Sequence, residues 1–439
     1  MRVENSSRRV GTIGPGTWWP FAAGVLVALL GLSACGGASE PELPGPPQAS
    51  EPRAPELRVT AAFEGYWGIC SAPSVAEDGK VFLLCNDQYG DLSAFSARPG
   101  AEFGEPLGRV YERWYGFGWS TEHAPSVFFS DDFQLARLVT TSRAKSQKDG
   151  MLWSYTANPE TGWLENPWWD HSRDGTQRIP SGEGMAMSSD GRFFLWVSET
   201  PEGDRIQSFG HGVLDRPDYA GSAGAAVVFA AQSSDAYLAP AGEDAQLFRW
   251  SLEREAERTH GPLINLPVRG IGRLASNPEG TLIFAGSDWD QEGGLAIEVL
   301  ERDPLSGELT PGFARLEVTP ELCPECVDPQ AGLEWLAVDA RGDVYAATAV
   351  PYDPDDENPR GGVTAIFRWR HADGAWELDI ARVDMGREAN PGFYLRAFAL
   401  GDRPGVLLAT AYARPGDIAP SRRNLGPFAR IEILDDRTE

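Results

Sequence analysis

Residues 274–286 read LASNPEGTLIFAG, and this stretch decides the predicted fold. A short apolar run meets a turn of Asn, Pro, Glu and Gly, and a second apolar run follows the turn. Short apolar runs bounded by such turn residues are typical of paired β-strands. The stretch therefore predicts a tight β-hairpin.

Six further segments repeat this pattern along the chain. They are SVAEDGKVFLL from Ser74, SVFFSDDFQLARLV from Ser126, AMSSDGRFFLWV from Ala186, VVFAAQSSDAYLA from Val227, LAVDARGDVYAAT from Leu336 and FALGDRPGVLLAT from Phe398. The steps between segments run from about 44 to about 63 residues, which suits one four-stranded propeller blade plus variable loops. The repeats predict an all-β chain with a single β-propeller of seven four-stranded blades, and six or eight blades remain open at this point.

Apolar segments after each hairpin predict the outer strands of the blades. Residues 247–250 and 366–369 read LFRW and IFRW and occupy the place of a third strand. Turn residues follow, and residues 163–164, 308–310 and 376–378 then predict short fourth strands. Such an antiparallel meander is the expected course of one blade.

The two ends of the repetitive region predict how the ring closes. Residues 57–63 alternate apolar and other side chains, and so do residues 429–433, as half-buried strands do. A strand from near residue 57 that completes the last blade beside residues 428–434 would leave both sheet edges paired. The prediction is therefore one propeller domain over residues 56–439.

The N-terminal region predicts export and lipidation. A basic head and a short apolar run precede Cys35, as in a secretory signal peptide, and roughly 14 apolar residues are too few for a stable membrane span. Residues 32–35, LSAC, resemble a bacterial lipobox, which implies a signal peptide over residues 1–34 and a lipid on Cys35. Residues 35–55 are rich in Pro, Ser and Glu and predict a disordered tether. In a host with two membranes, the lipoprotein resemblance implies the outer one, because Gly36 stands where inner-membrane lipoproteins carry Asp. Lipid alone would then hold the protein to the cell envelope.

Four further cysteines predict structural disulfides. Cys70, Cys85, Cys323 and Cys326 make an even count in an exported chain, which favours disulfide bonds over free thiols. The Cys323-Pro-Glu-Cys326 spacing also occurs in redox and metal pairs, and that alternative stays open.

Hairpin geometry predicts which cysteines face each other. If residues 76–79 form a four-residue loop, Val75 pairs with Lys80, and counting outward places Cys70 opposite Cys85. A disulfide between these strands would stabilise the fold and would have no catalytic role.

The net charge excludes some partners. The chain carries −26 at pH 7, from 64 acidic and 38 basic residues. Such a surface repels phosphate backbones and anionic headgroups, so nucleic-acid binding is not expected. The partner predicted from sequence is a protein or a glycan, and the chain is expected to be a monomer.

One stretch resembles a known family. Residues 274–313 combine a P-x-G hairpin, a strand of the form I-x-V and the run D-P-x-S-G-x-L-T. This resembles the seven-bladed lactonase-type propellers, the phosphogluconolactonase-like family, and residues 152–164 repeat part of the pattern. The resemblance implies a scaffold more than an activity, because fold does not settle function.

Lactone hydrolysis would need a base or a metal that activates water and a cation that holds the oxyanion. Residues at the starts of the inner strands would surround one mouth of the central channel, and His123 resembles the channel histidine that such lactonases carry before an inner strand. A solvated histidine and channel-lining ion pairs are the structural alternatives. The speculative channel group is His123, Glu122, Arg273, Glu334 and Arg396.

Other binding chemistry is weaker in the sequence. Acidic loops at residues 86–91, 288–290 and 353–357 offer oxygen ligands for Ca²⁺, yet none has the spacing of a known calcium loop, and no cofactor is predicted. Exposed tryptophans would suit a carbohydrate ligand. The leading function predicted is a non-catalytic binding or scaffolding protein, with a lactonase-like hydrolase and a carbohydrate-binding protein as alternatives.

Overall fold

A computed structural model describes the ordered core of the chain. The described residues are 54–63, 68–76, 79–87, 92–97, 108–111, 126–130, 135–141, 150–157, 164–170, 184–198, 205–210, 213–215, 226–240, 244–251, 263–287, 294–323, 333–350, 363–372, 375–384, 393–413 and 428–434. Residues Ala49–Glu439 form one compact unit. The signal-peptide, lipidation and tether predictions concern residues outside the described ranges and stay predictions.

The described residues form seven antiparallel sheets, which we name blades 1 to 7 in chain order. The chain begins with β1 (Glu56–Phe63) and then builds blade 1 from β2 (Gly68–Cys70), β3 (Ser74–Val75), β4 (Val81–Asp87), β5 (Leu92–Ala97) and β6 (Gly108–Tyr111). Blade 2 contains β7 (Ser126–Phe129), β8 (Leu135–Thr141), β9 (Gly150–Ala157) and β10 (Leu164–Asp170), and blade 3 contains β11 (Met185–Met187), β12 (Phe193–Ser198), β13 (Arg205–Gly210) and β14 (Val213–Asp215). Blade 4 contains β15 (Ala226–Phe229), β16 (Asp235–Ala239), β17 (Asp244–Ser251) and β18 (Ile264–Arg269).

Three more blades complete the set. Blade 5 contains β19 (Arg273–Ser276), β20 (Leu282–Gly286), β21 (Leu295–Arg302) and β22 (Leu309–Val318), and blade 6 contains β23 (Leu333–Val338), β24 (Val344–Val350), β25 (Val363–Ala372) and β26 (Ala375–Asp384). Blade 7 contains β27 (Phe393–Leu400), β28 (Val406–Ala413), β29 (Phe428–Leu434) and β1. Each of the seven sequence segments spans the first hairpin of one blade, which confirms the predicted repeat. Among the described residues, no helix has the length and apolar character needed to cross a membrane.

The innermost strands arrange the blades in a closed ring. Strands β3, β7, β11, β15, β19, β23 and β27 each contact the next in this order, and β27 contacts β3. The chain is therefore an all-β propeller of seven blades, as the repeats predicted.

The ring is closed by the N-terminal strand. Strand β1 pairs antiparallel with β29, and Leu57 lies opposite Ile433 while Val59 lies opposite Ile431. The apolar positions of one strand thus meet the apolar positions of the other, as the alternation predicted. Blade 7 is assembled from both ends of the domain.

The hairpin of blade 1 corrects one predicted register. Val75 pairs with Val81, so the predicted pairing of Val75 with Lys80 was wrong by one residue. Cys70 nevertheless lies opposite Cys85, as predicted. The break between β2 and β3 at residues 71–73 absorbs the extra residue, because the inner strand is interrupted there.

The outermost strands are longer than the sequence predicted. Strand β22 was expected to end at Thr310, yet it continues to Val318, and β26 runs ten residues to Asp384. Pro311 lies within β22, and an outer edge strand tolerates proline because the outward N–H of such a strand has no ladder partner. A bulge absorbs Pro311 and Gly312 within the strand.

The cores lie between neighbouring blades. Phe284 and Ile297 of blade 5 pack with Leu336 and Phe367 of blade 6 in one buried cluster. Each such side chain contributes about 1.5–3 kcal/mol when fully buried. Since a single four-stranded sheet cannot bury both of its apolar faces, each blade depends on its neighbours.

Candidate functional site

The predicted channel group is only partly described. Arg273 begins β19, and Glu334 is the second residue of β23. Arg396 lies within β27, where the structure describes its backbone alone. Glu122 and His123 lie outside the described residues. The structure brings Arg273 and Glu334 together, and the functional role of all five residues stays a prediction.

Arg273 joins the inner strands of blades 5 and 6. Its Nε–H donates to the backbone carbonyl oxygen of Glu334 at 3.0 Å, and Nη1 donates to the carbonyl of Gly272 at 2.8 Å. A guanidinium stays protonated and cannot act as a general base. Arg273 can therefore hold an anionic group near the ends of these strands but cannot activate water.

Metal binding has little basis in the described part of the chain. No group of three or more His, Cys, Asp or Glu side chains there is arranged to hold a metal ion. The acidic residues 88–91, 288–290 and 353–357 lie outside the described ranges. The possibility that Ca²⁺ binds these acidic loops therefore remains a prediction from the sequence.

A buried polar network lies between blades 4 and 5. Tyr237 donates its phenol hydrogen to the carbonyl of Gly307 at 2.7 Å and accepts from Nε of Arg302 at 2.8 Å. Arg302 also forms a 2.6 Å ion pair with Asp235. Burial raises the pKa of Tyr237 to about 12, although the nearby Arg302 charge opposes the rise. The neutral phenol of Tyr237, on β16 of blade 4, thus binds the backbone of blade 5.

Arg302 also hydrogen-bonds to the first hairpins of blades 4 and 5. Nη1 of Arg302 donates to the carbonyl of Gly280 at 3.2 Å, and Nη2 donates to Oγ of Ser233 at 3.0 Å. Gly280 has a φ of +66°, and a Cβ at this position would lie 2.3 Å from the carbonyl oxygen of Ala231. Glycine is required here because the two hairpins touch through their backbones.

An equivalent network lies between blades 6 and 7. The Tyr345 hydroxyl accepts from the N–H of Gly405 at 3.1 Å and donates to Oδ2 of Asp339 at 3.1 Å. Burial also raises the pKa of Tyr345. Each tyrosine therefore joins its own blade to the backbone of the next.

The sequence interpretation missed these networks, although a signal was present. Asp235 and Asp343 each precede a tyrosine by two residues, and the F-R-W motif recurs in the third strand of both blades. Tyr237 lies opposite Arg249, and Tyr345 opposite Arg368. A recurring D-x-Y with F-R-W on the next strand would have identified the two tyrosines, although not their partners in the next blade.

The raised pKa of Tyr237 predicts an alkaline loss of stability. The folded chain holds the phenol proton more tightly than the unfolded chain, whose tyrosine pKa is near 10. This contribution is complete below pH 10 and decreases by about 3 kcal/mol as the pH rises towards 12. Tyr237→Phe should cost about 1–3 kcal/mol at pH 8, because Arg302 and the Gly307 carbonyl lose a partner.

Urea unfolding at pH 8, 10 and 11 measures the effect. The stability difference between the wild type and Tyr237→Phe should shrink as the pH rises, since only the wild type loses the phenol proton. A difference that stays constant over this range contradicts the assignment.

No family model and no curated protein matches the sequence. The structure is similar to the WD40 repeats of RRP9, with 11% identity and a TM-score of 0.50, covering 88% of this chain and 100% of the other. It is similar to oligogalacturonate lyase from Vibrio parahaemolyticus, with 9% identity and a TM-score of 0.50, covering 88% and 98%.

A third similarity involves the family that the sequence resembles. A protein assigned as a 6-phosphogluconolactonase, from Bacteroides uniformis, has 14% identity and a TM-score of 0.40, with 69% of this chain and 82% of the other covered. That likeness is too distant to support an argument. The first two likenesses agree with the sheet topology, and the chain therefore has the β-propeller fold.

Proposed function

We propose that the protein is anchored by a lipid on Cys35 at the bacterial outer membrane and that its propeller binds a partner without catalysing a reaction. The LSAC motif at residues 32–35 and the Pro-rich residues 35–55 support the anchor. The tether would join the ring at Glu56, where the outermost strand of blade 7 begins. The inner strands and the channel mouths would then be distant from the attachment point along the blade.

The use of buried charge carries the non-catalytic part of the proposal. At catalytic sites, buried ionisable groups face a cleft. In the described ranges, the tyrosines of raised pKa, Tyr237 and Tyr345, instead bind backbone groups of the neighbouring blade. Arg302 is likewise committed to Asp235 and Tyr237. These groups hold the ring together, and a rigid ring suits binding.

We also propose disulfides between Cys70 and Cys85 and between Cys323 and Cys326. Cys70 lies directly opposite Cys85 in the ladder, which is the placement that a cross-strand bond requires. Cys323 is fully buried, and Cys326 is the nearest cysteine along the chain. Such bonds suit an oxidising compartment outside the cytoplasm.

Export of the full chain in a bacterium with two membranes tests the anchor. The mature protein should begin at Cys35 with an acylated N-terminus and fractionate with the outer membrane, because several acyl chains hold it there. Cys35→Ala should release the protein from the membrane. Mass spectrometry without reduction should find the two proposed cysteine links in the same sample. An unmodified N-terminus upstream of residue 35 would contradict the anchor.

A lactone panel tests the non-catalytic part. The wild type should hydrolyse none of the lactones above the buffer rate. Turnover that His123→Ala abolishes would overturn this part of the proposal and would support the hydrolase alternative, with the folded state of the variant checked by its melting temperature.

A further inference from the structure

Blade 5 exposes large apolar side chains at its outer rim. Leu305 is 83% exposed and Phe313 is 50% exposed, and both belong to the hairpin that joins β21 and β22. Leu322, which lies in the turn that follows β22, is 36% exposed. Among the described residues, these are the large hydrophobic side chains that face solvent. We name Leu305 and Phe313 the blade 5 rim patch.

The loop that presents Leu305 is held from both sides. Oδ1 of Asp303 accepts from the N–H of Leu305 at 2.7 Å and from the N–H of Ser306 at 3.2 Å. Arg249 of blade 4 donates to the carbonyl of Ser306. Gly307 fits so closely that a Cβ there would lie 2.6 Å from Nη1 of Arg249.

The fixed backbone has a consequence for binding. Tyr237 also holds the loop, through the 2.7 Å bond to Gly307 described above. The ordering of the loop is therefore complete before any partner arrives, which lowers the entropic cost of binding through Leu305. A partner can therefore bury the exposed Leu305 side chain without first ordering the backbone that carries it.

A bulge presents Phe313 on the same hairpin. A register shift leaves residues 311–313 of β22 opposite the single residue Leu300 of β21. Gly312 has a φ of +85°, and no atom lies within 4 Å of the position of a Cβ there, so the bulge projects into open space. Pro311 and the bulge also prevent a foreign strand from extending the ladder at this point. Docking on the patch therefore uses side chains.

The surroundings of the patch are acidic. Arg315 is the exposed basic residue between positions 301 and 321, and it pairs with Glu317 and Glu298. Hydrogen bonds from the N–H groups of Leu305 and Ser306 hold the pKa of Asp303 below its usual range, so this carboxylate stays ionised. The exposed carboxylates in the same stretch are Glu301, Asp303, Glu308, Glu317 and Glu321.

The charge distribution decides which occupant fits. A second copy of the chain would bring its own net charge of −26 against this surface, and an anionic membrane would also be repelled. A partner with an apolar contact flanked by lysine or arginine is attracted, because opposite potentials across an interface favour association.

We propose that the blade 5 rim patch docks an apolar segment of another protein that carries basic residues on both sides. This inference rests on the proposed binding function and names the surface and the partner chemistry. The small apolar area predicts a dissociation constant on the order of micromolar.

Three labelled twelve-residue peptides test the proposal. They share the apolar sequence Leu-Trp-Phe-Leu and carry four lysines, four serines or four glutamates on each side. Fluorescence anisotropy with the folded full chain should show the lysine peptide binding at least tenfold more tightly than the serine peptide. Raising the salt concentration from 50 to 500 mM should weaken the lysine peptide several-fold, since exposed carboxylates are screened.

Variants of the patch separate specific docking from general attraction to an acidic protein. Leu305→Ser with Phe313→Ser should weaken the lysine peptide at least tenfold without changing the charge. Leu322→Ser is the matched control, with the same chemistry in the turn that follows β22, and should leave binding unchanged. Because all three side chains are exposed, the melting temperatures should stay within about 1 °C of the wild type.

Several results would overturn the inference. They are equal binding of the lysine peptide to the double variant, equal binding of the glutamate peptide to the wild type, or no binding at all. Dimers in sedimentation that Phe313→Ser disperses would identify a second copy as the occupant and would also reject it. The lipidation and lactone assays do not involve this patch, so its failure leaves the proposed anchor and the proposed absence of catalysis untouched.

Discussion

Deleting residues 54–63 should lower the free energy of unfolding by about 5 kcal/mol. The deletion removes β1, which forms seven residue pairs with β29, and each pair contributes on the order of 1 kcal/mol through ladder bonds and side-chain contacts. Leu57 also packs on the cluster that contains Ile431 and Ile433. Without β1, these isoleucines lie in an open edge strand, which invites association with other chains.

A second deletion is the matched control for the first. Removing residues 36–53 keeps Cys35 and β1 and should change the stability by less than about 0.5 kcal/mol, because the segment is predicted to be a disordered tether. Urea unfolding followed by tryptophan fluorescence measures both variants. Equal losses for the two deletions would contradict the ring closure as the source of stability.

The blades were predictable because their information is local. In residues 274–286, the apolar runs, the Asn-Pro-Glu-Gly turn and the position of Gly280 all lie within one hairpin. The ring closure was also predictable, although β1 and β29 are far apart in sequence, because both carry the same two-residue alternation. Strand period is a property of each segment by itself.

The interblade networks were harder to predict because their partners are distant. Tyr237 and Arg302 are 65 residues apart. No local sequence pattern predicts that a side chain of the third strand of blade 5 contacts the second strand of blade 4. The predicted outer strand, residues 308–310, was too short for a related reason. A Pro-Gly pair such as Pro311-Gly312 occurs both in turns and in edge bulges. Only the register with β21 shows that this pair lies in a bulge.

The channel group illustrates the limit for function. The repeat placed Arg273 and Glu334 at the starts of neighbouring inner strands, and the structure brings them together there. The sequence left channel-lining ion pairs as one alternative, and in the structure the Nε–H of Arg273 donates to the backbone carbonyl of Glu334. The sequence identifies which residue types lie near a mouth of the central channel. The hydrogen bonds that these residues form depend on how two neighbouring blades are positioned relative to each other.

Asp379→Ala should destabilise the protein by about 3–5 kcal/mol. Oδ2 of Asp379 accepts from Nη2 of Arg368 at 2.7 Å and from Nε of Arg370 at 3.0 Å. Arg368 and Asp379 are each 2% exposed. Removing the carboxylate takes this acceptor from the buried Arg368 guanidinium, and breaking a buried ion pair by removing one partner is strongly destabilising.

The exposed pair between Arg315 and Glu317 is the control for this effect. Its side chains are 41% and 47% exposed, so Glu317→Ala should cost less than about 1 kcal/mol. Both variants are compared with the wild type by urea unfolding at pH 7 in the same buffer. Equal losses would mean that burial of the Asp379 pair has no energetic consequence.

Replacing both members of the buried pair separates an unpaired charge from lost packing. Arg368→Met with Asp379→Leu should recover most of the stability lost in Asp379→Ala, because an apolar pair of similar volume leaves no buried charge without a partner. Arg370 would keep its 3.3 Å contact with Glu377. A double variant as unstable as Asp379→Ala would instead show that the carboxylate is needed for the geometry of β25 and β26, since Arg368 and Asp379 face each other across that ladder.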